Sequence, residues 1–181
     1  MSKKNNKYPW AFSDQAGDDI VAALGTIPGR WGRMTPLCRL LIVKIALLLQ
    51  ENGVVERGER CCECGLSAGL VGGTRKGSLH TDLDFIQTMK NGPGLASPAL
   101  FGYTLPNIPL AEAAGHHGLV GPVYALLDTE NPLASAVDEA EMLLRAGRDL
   151  SFIVACEFDY YTDGADTLVV DVRLIRRTPA R

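Results

Sequence analysis

Residues 120–146 place an apolar run, a sharp polar turn and a helical pattern in direct succession, and this order constrains the fold strongly. The run "VGPVYALL" carries no charged side chain, which is typical of a strand with apolar neighbours on both faces. Residues 128–131 (DTEN) supply the turn, and Pro132 stands at the first position of a helix predicted to end near Ala146. A strand followed closely by a helix predicts an α/β fold.

The rest of the chain continues this alternation of strands and helices. Thr35 as N-cap and Pro36 at the first helical position predict a helix that ends near Asn52-Gly53. The spacing of apolar residues predicts the remaining elements: helices at 18–24, 79–90, 106–116 and 132–146, and strands at 61–67, 120–127, 150–161 and 166–175. We therefore expect a mostly parallel sheet with an antiparallel edge strand and helices packed on the sheet.

Composition indicates one domain of ordinary size. The chain has 181 residues, 46% of them hydrophobic and 22% charged, with a net charge of −3 that argues against nucleic-acid binding. We predict a domain over residues 33–181 and an arm over residues 1–32, whose Trp10 and Trp31 pack onto another surface. Because the start of the chain has no apolar leader segment and the five cysteines form no obvious pairs, we expect a cytoplasmic protein with free thiols. The apolar segment "PLCRLLIVKIALLLQ" is too short to span a bilayer.

Three sets of residues could carry chemistry, and each has a simpler interpretation. The glycines of residues 65–77 match no phosphate-binding pattern, so we predict a loop that permits tight strand-to-helix packing. Cys61, Cys62 and Cys64 have no second ligand pair for zinc and are predicted to be small hydrophobic residues of a strand. No carboxylate is spaced to orient His116 or His117. We expect neither a metal nor a cofactor.

The stretch "ASPALFGYTLPNIPLAEAAGHHGLVGP", followed by the strand, turn and helix and then by "AGRDLSFIVACEF", resembles the N-terminal half of a β-ketoacyl synthase of the thiolase-like superfamily. The resemblance extends over residues 34–174 and is most specific over residues 97–157. It implies a thiolase-like half-fold. No strand in residues 1–32 matches the family's opening strand, and the sequence does not continue into the second half of the family's fold.

The resemblance gives the turn at residues 128–131 a meaning. In active ketosynthases this turn carries the cysteine that accepts the acyl chain, and an ungapped alignment places Glu130 at that position. A carboxylate nucleophile would give an unstable mixed anhydride, so the resemblance implies no catalytic residue for condensation. Two alternatives remain for Glu130: an acid/base role in decarboxylation of a carrier-bound malonyl group, and a capping role at the helix N-terminus.

The resemblance also implies partners. Chain-length factors resemble ketosynthases, lack the cysteine, and pair with a true ketosynthase in fatty-acid or polyketide pathways. The strand before the turn pairs across the two-fold axis in such dimers, which predicts a homodimer or a heterodimer with a ketosynthase. The implied interface residues are Val123, Tyr124, Ala125, Leu126, Leu127 and Asp128. The resemblance further implies contact with an acyl carrier protein and an acyl pocket at Phe101, Asn107 and Glu130.

Overall fold

The computed structural model describes residues 8–90, 92–146 and 149–177. These residues form four strands, six α-helices and short 3₁₀ helices at Pro9–Phe12, Trp31–Arg33 and Pro93–Leu95. The helices are α1 (Asp18–Leu24), α2 (Pro36–Glu51), α3 (Leu79–Thr88), α4 (Pro98–Phe101), α5 (Asn107–His117) and α6 (Pro132–Ala146). The strands are β1 (Ala68–Thr74), β2 (Val123–Leu127), β3 (Phe152–Asp163) and β4 (Ala165–Arg176).

The strands form one sheet in the order β2-β1-β3-β4. Strand β1 pairs in parallel with β2 and with β3, whereas β3 and β4 form an antiparallel hairpin that turns at Gly164 with a φ of 64°. The predicted fold class, a mostly parallel sheet with an antiparallel edge strand, is therefore confirmed. Strand β2 lies at the opposite edge of the sheet, and no described strand covers its outer side.

Helices cover both faces of the sheet. Alternation along the strands sends Leu70, Val154 and Phe158 to the face that packs against α2 and α5. It sends Val71, Ile153 and Ala155 to the other face, where they pack against Ala136, Ala140 and Leu144 of α6. The larger core thus lies between the sheet and α2, and the smaller core lies between the other face of the sheet and α6.

The arm forms a further layer on α2. Ile20, Leu24 and Trp31 are almost fully buried and belong to the same core as α2. This contact explains why α2 is apolar on nearly all sides, since one side faces the sheet and another faces the arm. Residues 1–7, also predicted to be part of the arm, lie outside the described residues.

The prediction of a strand at residues 61–67 and a glycine loop at residues 65–77 is wrong. Residues 61–65 form a turn, and the strand is β1, which contains three glycines of the predicted loop. Distant segments pack closely against two of these glycines and leave no room for a side chain. A Cβ added at Gly73 would lie 1.8 Å from the Pro132 carbonyl oxygen, and one added at Gly69 would lie 2.8 Å from the Pro122 carbonyl oxygen. The prediction of tight strand-to-helix packing is confirmed at Gly73, which lies against the first residue of α6.

The cysteines of this turn differ from the prediction as well. Cys61 is fully buried, but Cys62 is half-buried and Cys64 is exposed. The difference arises because the chain turns here, as shown by the hydrogen bond that the Cys64 N–H donates to the Cys61 carbonyl at 3.1 Å. Of the three cysteines in this turn, only Cys61 therefore acts as a small core residue.

Candidate functional site at the carboxyl ends of the strands

The carboxyl ends of β1, β2 and β3 meet at one end of the sheet because the three strands are parallel. This carboxyl-terminal end carries a cluster of polar and charged residues. Its members are Thr74 and Arg75 at the end of β1, Asp128 and Glu130 after β2, and Glu157 and Asp159 in β3. Ligands of α/β sheets bind at the carboxyl ends of the strands, so this cluster is the candidate functional site.

Asp128 organises the turn between β2 and α6. Its Oδ1 accepts hydrogen bonds from the backbone N–H groups of Glu130 at 2.8 Å and Asn131 at 2.9 Å, and its Oδ2 accepts one from the Ser135 hydroxyl. The Ser135 hydroxyl, followed by these N–H groups, holds the pKa of Asp128 below its ordinary value. Asp128 thus stabilises the turn that precedes α6.

Glu130 does not have the predicted capping role. Its side chain is exposed, and its described hydrogen bonds use its backbone: the N–H donates to Asp128, and the carbonyl accepts from Arg75 Nη2 at 3.0 Å. The turn is instead held by Asp128, whose short side chain comes two residues earlier and accepts from the N–H groups that follow it.

Arg75 connects the three strand ends. Its guanidinium pairs with Glu157 of β3 and donates to the Glu130 carbonyl after β2. The sequence contained a signal for this contact, since charged residues stood at the ends of two neighbouring strands. The contact still escaped prediction because β1 was placed too early in the chain.

Asp159 is buried, with 1% of its surface exposed, and fastens the loop after β1 onto β3. Its carboxylate accepts hydrogen bonds from the Thr74 hydroxyl at 2.6 Å and from the N–H groups of Arg75, Lys76 and Gly77, the latter two at 2.7 and 2.8 Å. Successive N–H groups of this kind form a cradle for an anion. Here an internal carboxylate fills the cradle.

A groove of about 610 Å³ lies beside the turn, between α6 and β4. Arg75, Glu157 and Arg173 form its polar side, and Leu133, Val137 and Ile175 are among its apolar lining residues. Its volume falls within the range of small-molecule sites. Two of its arginines form ion pairs, Arg75 with Glu157 and Arg173 with Asp171.

The three residues of the predicted acyl pocket have different neighbours. Phe101 is 58% exposed and packs on Phe85, with ring centroids 5.5 Å apart. Asn107 begins α5, and its Oδ1 accepts a hydrogen bond from the Ala125 N–H at 2.9 Å. Glu130 lies at the turn. A shared pocket for an acyl chain therefore stays a prediction.

The predicted interface residues lie together on β2 and at its carboxyl end. The side chains of Val123, Tyr124, Ala125 and Leu126 are only partly buried, and Leu127 is 77% exposed. A parallel strand is normally covered on both faces, so this amount of exposed apolar surface is unusual. Tyr124 donates a hydrogen bond to Glu139 of α6, and burial, followed by this bond, raises the pKa of its phenol to about 12.

The five cysteines are free thiols, and Cys38, Cys61 and Cys156 are buried. Burial raises the pKa of Cys38 in α2 to about 12, raises that of Cys61 to about 11 and raises that of Cys156 in β3.

Within residues 8–90, 92–146 and 149–177, no group of three or more metal-binding side chains is placed to hold an ion. None of the helices described there has the length and hydrophobicity that a membrane span requires.

Comparisons with solved structures identify the fold. The chain superposes on a ketosynthase/chain length factor structure of the ishigamide system with a TM-score of 0.68 and 22% sequence identity, over 91% of this chain. The fold is thiolase-like. A ketosynthase in complex with its chain length factor from Xenorhabdus doucetiae gives a TM-score of 0.53 at 15% identity over 79% of this chain. A β-ketoacyl synthase from Burkholderia phymatum gives 0.54 at 12% identity over 84% of this chain.

The chain spans only part of each of these proteins. It covers 49% of the first matched chain, 58% of the second and 35% of the third. No protein-family model and no curated protein sequence matches the chain.

Proposed function

We propose that this chain is a non-catalytic partner protein that pairs through β2 with a ketosynthase, in the manner of a chain-length factor. The observation that carries the proposal is the exposed β2, an apolar strand at the boundary of the sheet whose outer edge pairs with no described strand. An unpaired edge strand offers a row of backbone donors and acceptors to another strand. Two of the structural neighbours are described as ketosynthase and chain length factor together.

The residues at the turn favour a structural role over condensation chemistry. The position after β2 that the resemblance assigns to the nucleophile holds Glu130, and the carboxylate of Asp128 in the same turn is engaged by two backbone N–H groups and the Ser135 hydroxyl. An acid/base role of Glu130 has less support, because each of the three histidines has other neighbours. The Nε2 of His117 binds the Ile42 carbonyl, the ring of His116 contacts the ring of His117, and His80 stacks on Tyr160.

The proposal is tested by co-expression of this chain with a ketosynthase from the same genome, followed by chromatography with light scattering. We expect a stable complex containing both chains. Leu127→Lys should abolish the complex, because it places a charge on the exposed apolar edge, and should leave the melting temperature of the isolated chain unchanged. Met142→Lys is the matched control: Met142 is also exposed, at 50%, but lies on α6. A complex that survives Leu127→Lys, or a chain that stays monomeric with every ketosynthase of the genome, would refute the proposal.

A further inference from the structure

An exposed apolar surface lies on α3 and on the segment that joins α4 to α5. It consists of Leu79, Leu83, Ile86, Phe101 and Leu105, which are between 37% and 58% exposed. We call this set the α3 surface. It contains five of the twelve large hydrophobic residues that are exposed in the described part of the chain. Scattered apolar residues are common on protein surfaces, whereas a concentration of this kind marks a binding surface.

Spacing and contacts make the α3 surface continuous. Its three residues on α3 are four and three positions apart, so they form one stripe along the helix. Helix α3 packs on α4 through the rings of Phe85 and Phe101, whose centroids lie 5.5 Å apart. The Thr104 N–H then donates to the Phe101 carbonyl, in a turn that leads to Leu105.

The α3 surface reaches β2 at the start of α5. Asn107 follows Leu105 by two positions, and its Oδ1 accepts a hydrogen bond from the Ala125 N–H at 2.9 Å. This bond also occupies a backbone donor of β2, so strand pairing alone is a weak basis for a complex. Strand β2 has only five residues, whereas one side of a stable interface contains about 20–30. A partner that binds β2 therefore needs adjoining surface, and the α3 surface supplies it.

A carboxylate without a described partner lies beside the stripe. Asp82 comes three positions after Leu79 and four before Ile86, so it adjoins both on the helix. Burial raises the pKa of Asp82, and no described residue binds its carboxylate. A partly buried charge is stabilised by an opposite charge. A basic group of a bound protein would supply one, whereas a second copy packed symmetrically on the stripe would place another Asp82 there.

From these observations we infer that the α3 surface is the second part of the interface with the ketosynthase that binds β2, and that a basic residue of that partner lies opposite Asp82. The apolar stripe is buried against the partner, and the basic residue neutralises the carboxylate beside it. The inference rests on the proposed function. It extends the interface from one strand to a helix and the segment that follows α4.

Ile86→Lys tests the apolar part of this interface. Binding to a purified ketosynthase from the same genome is measured by biolayer interferometry. Because burial of a large aliphatic side chain changes affinity by about tenfold or more, we expect Ile86→Lys to weaken the complex at least about tenfold. Leu47→Lys is the matched control, since Leu47 is also an exposed helical residue but lies on α2, and its affinity should not change. If Ile86→Lys lowers the melting temperature, Ile86→Gln replaces it.

Asp82→Asn tests the charge. We expect it to weaken the complex by at least about threefold, and Asp82→Lys to weaken it further, because the basic residue of the partner loses its counter-charge. The difference between Asp82→Asn and the wild type should shrink as the salt concentration is raised. Glu51→Gln removes an equal charge from the exposed end of α2 and should leave the affinity unchanged.

Hydrogen exchange locates the contact directly. In the complex, exchange should slow in residues 79–88 and 98–105 together with residues 123–127, and should be unchanged in α1. The inference is overturned if exchange in α3 does not slow, or if Ile86→Lys or Asp82→Asn binds as tightly as the wild type. It is also overturned if the chain dimerises by itself and Ile86→Lys abolishes that dimer, because a second copy then covers the surface.

These outcomes differ from failure of the proposed function. A wild-type complex that depends on Leu127 but not on Ile86 or Asp82 retains the ketosynthase partner and refutes only the role of the α3 surface. A chain that binds no ketosynthase refutes both.

Discussion

Buried polar side chains fix two junctions of this molecule, and each does so through hydrogen bonds to backbone groups. Asp159 ties the loop after β1 to β3, and His117 at the end of α5 binds the Ile42 carbonyl of α2 at 2.9 Å. Because a carbonyl can only accept, His117 Nε2 carries the proton. Both residues are almost fully buried, so each junction would leave an unsatisfied polar group if its side chain were removed.

His117 makes the stability of the fold depend on pH. Burial, followed by the neighbouring His116, lowers the pKa of His117 from 6.5 to about 3. Between these values the unfolded chain binds a proton that the folded chain does not. The free energy of unfolding should therefore fall as the pH is lowered below about 6.5, by up to about 1.4 kcal/mol per pH unit. Above that pH, His117 is neutral in both states and contributes no pH dependence.

His117→Gln tests this expectation, because glutamine can donate to the Ile42 carbonyl but does not titrate. Urea denaturation at pH values from about 7 to about 4.5 should show a clearly smaller pH dependence in this variant than in the wild type. Some dependence should remain, since burial, with a smaller effect of Arg60, also lowers the pKa of His116. Equal slopes in the two proteins would contradict the assignment to His117.

Among the secondary-structure elements, β1 depends most on contacts with distant parts of the chain. Gly73 lies against the first residue of α6, where an added Cβ would be 1.8 Å from the Pro132 carbonyl oxygen. Gly73→Ala must displace the start of α6 or the strand itself. We expect a loss of about 3 kcal/mol or more in the free energy of unfolding, measured by urea denaturation.

Gly115→Ala is the control for this prediction. Gly115 lies within α5, and an added Cβ would meet no atom within 4 Å. The alanine should stabilise the protein by about 0.5–1 kcal/mol through its higher helix propensity. A Gly73→Ala protein as stable as the wild type would show that the strand and α6 are not in close contact.

The same distinction explains which elements the sequence could predict. Helix α2 follows from Thr35 and Pro36, and α6 from Pro132, because capping and proline signals are local. The strand β1 was misplaced because its glycines make room for Pro122 and Pro132, which lie about 50 to 60 residues away along the chain. A contact at that separation leaves no local sequence pattern. At the candidate site, the sequence located the turn and β2 but not the contacts of Arg75 and Asn107, which depend on the packed sheet.

A buried cation joins the arm to the rest of the molecule, in addition to the apolar contacts between the arm and α2. Arg39 of α2 is 3% exposed, and its guanidinium donates to three groups of the arm: the Trp31 carbonyl at 2.9 Å, the Ala11 carbonyl at 3.0 Å and the Asp14 carboxylate at 2.8 Å. These groups come from separate parts of the arm. Arg39 therefore determines whether the arm packs as one layer over α2.

Arg39→Ala should release the arm while the sheet stays folded. The substitution leaves two carbonyl oxygens without their donor and removes the guanidinium that lies 5.8 Å from the centre of the Trp31 ring. At about 1–3 kcal/mol for each unsatisfied buried group, we expect a loss of roughly 3 kcal/mol in the free energy of unfolding. Hydrogen exchange should rise across residues 9–33 and remain slow in β1 and β3.

Two control variants separate the buried hydrogen bonds from the charge. Arg33→Ala removes an equal charge from an exposed position directly after the arm and should change neither stability nor exchange. Asp14→Ala removes only the ion pair with a carboxylate that is 82% exposed, so its effect should lie within about 1 kcal/mol. If Asp14→Ala destabilised the chain as much as Arg39→Ala does, the ion pair and not the two carbonyl bonds would hold the arm. If exchange rose in β1 and β3 as well after Arg39→Ala, the arm and the sheet would unfold as one cooperative unit.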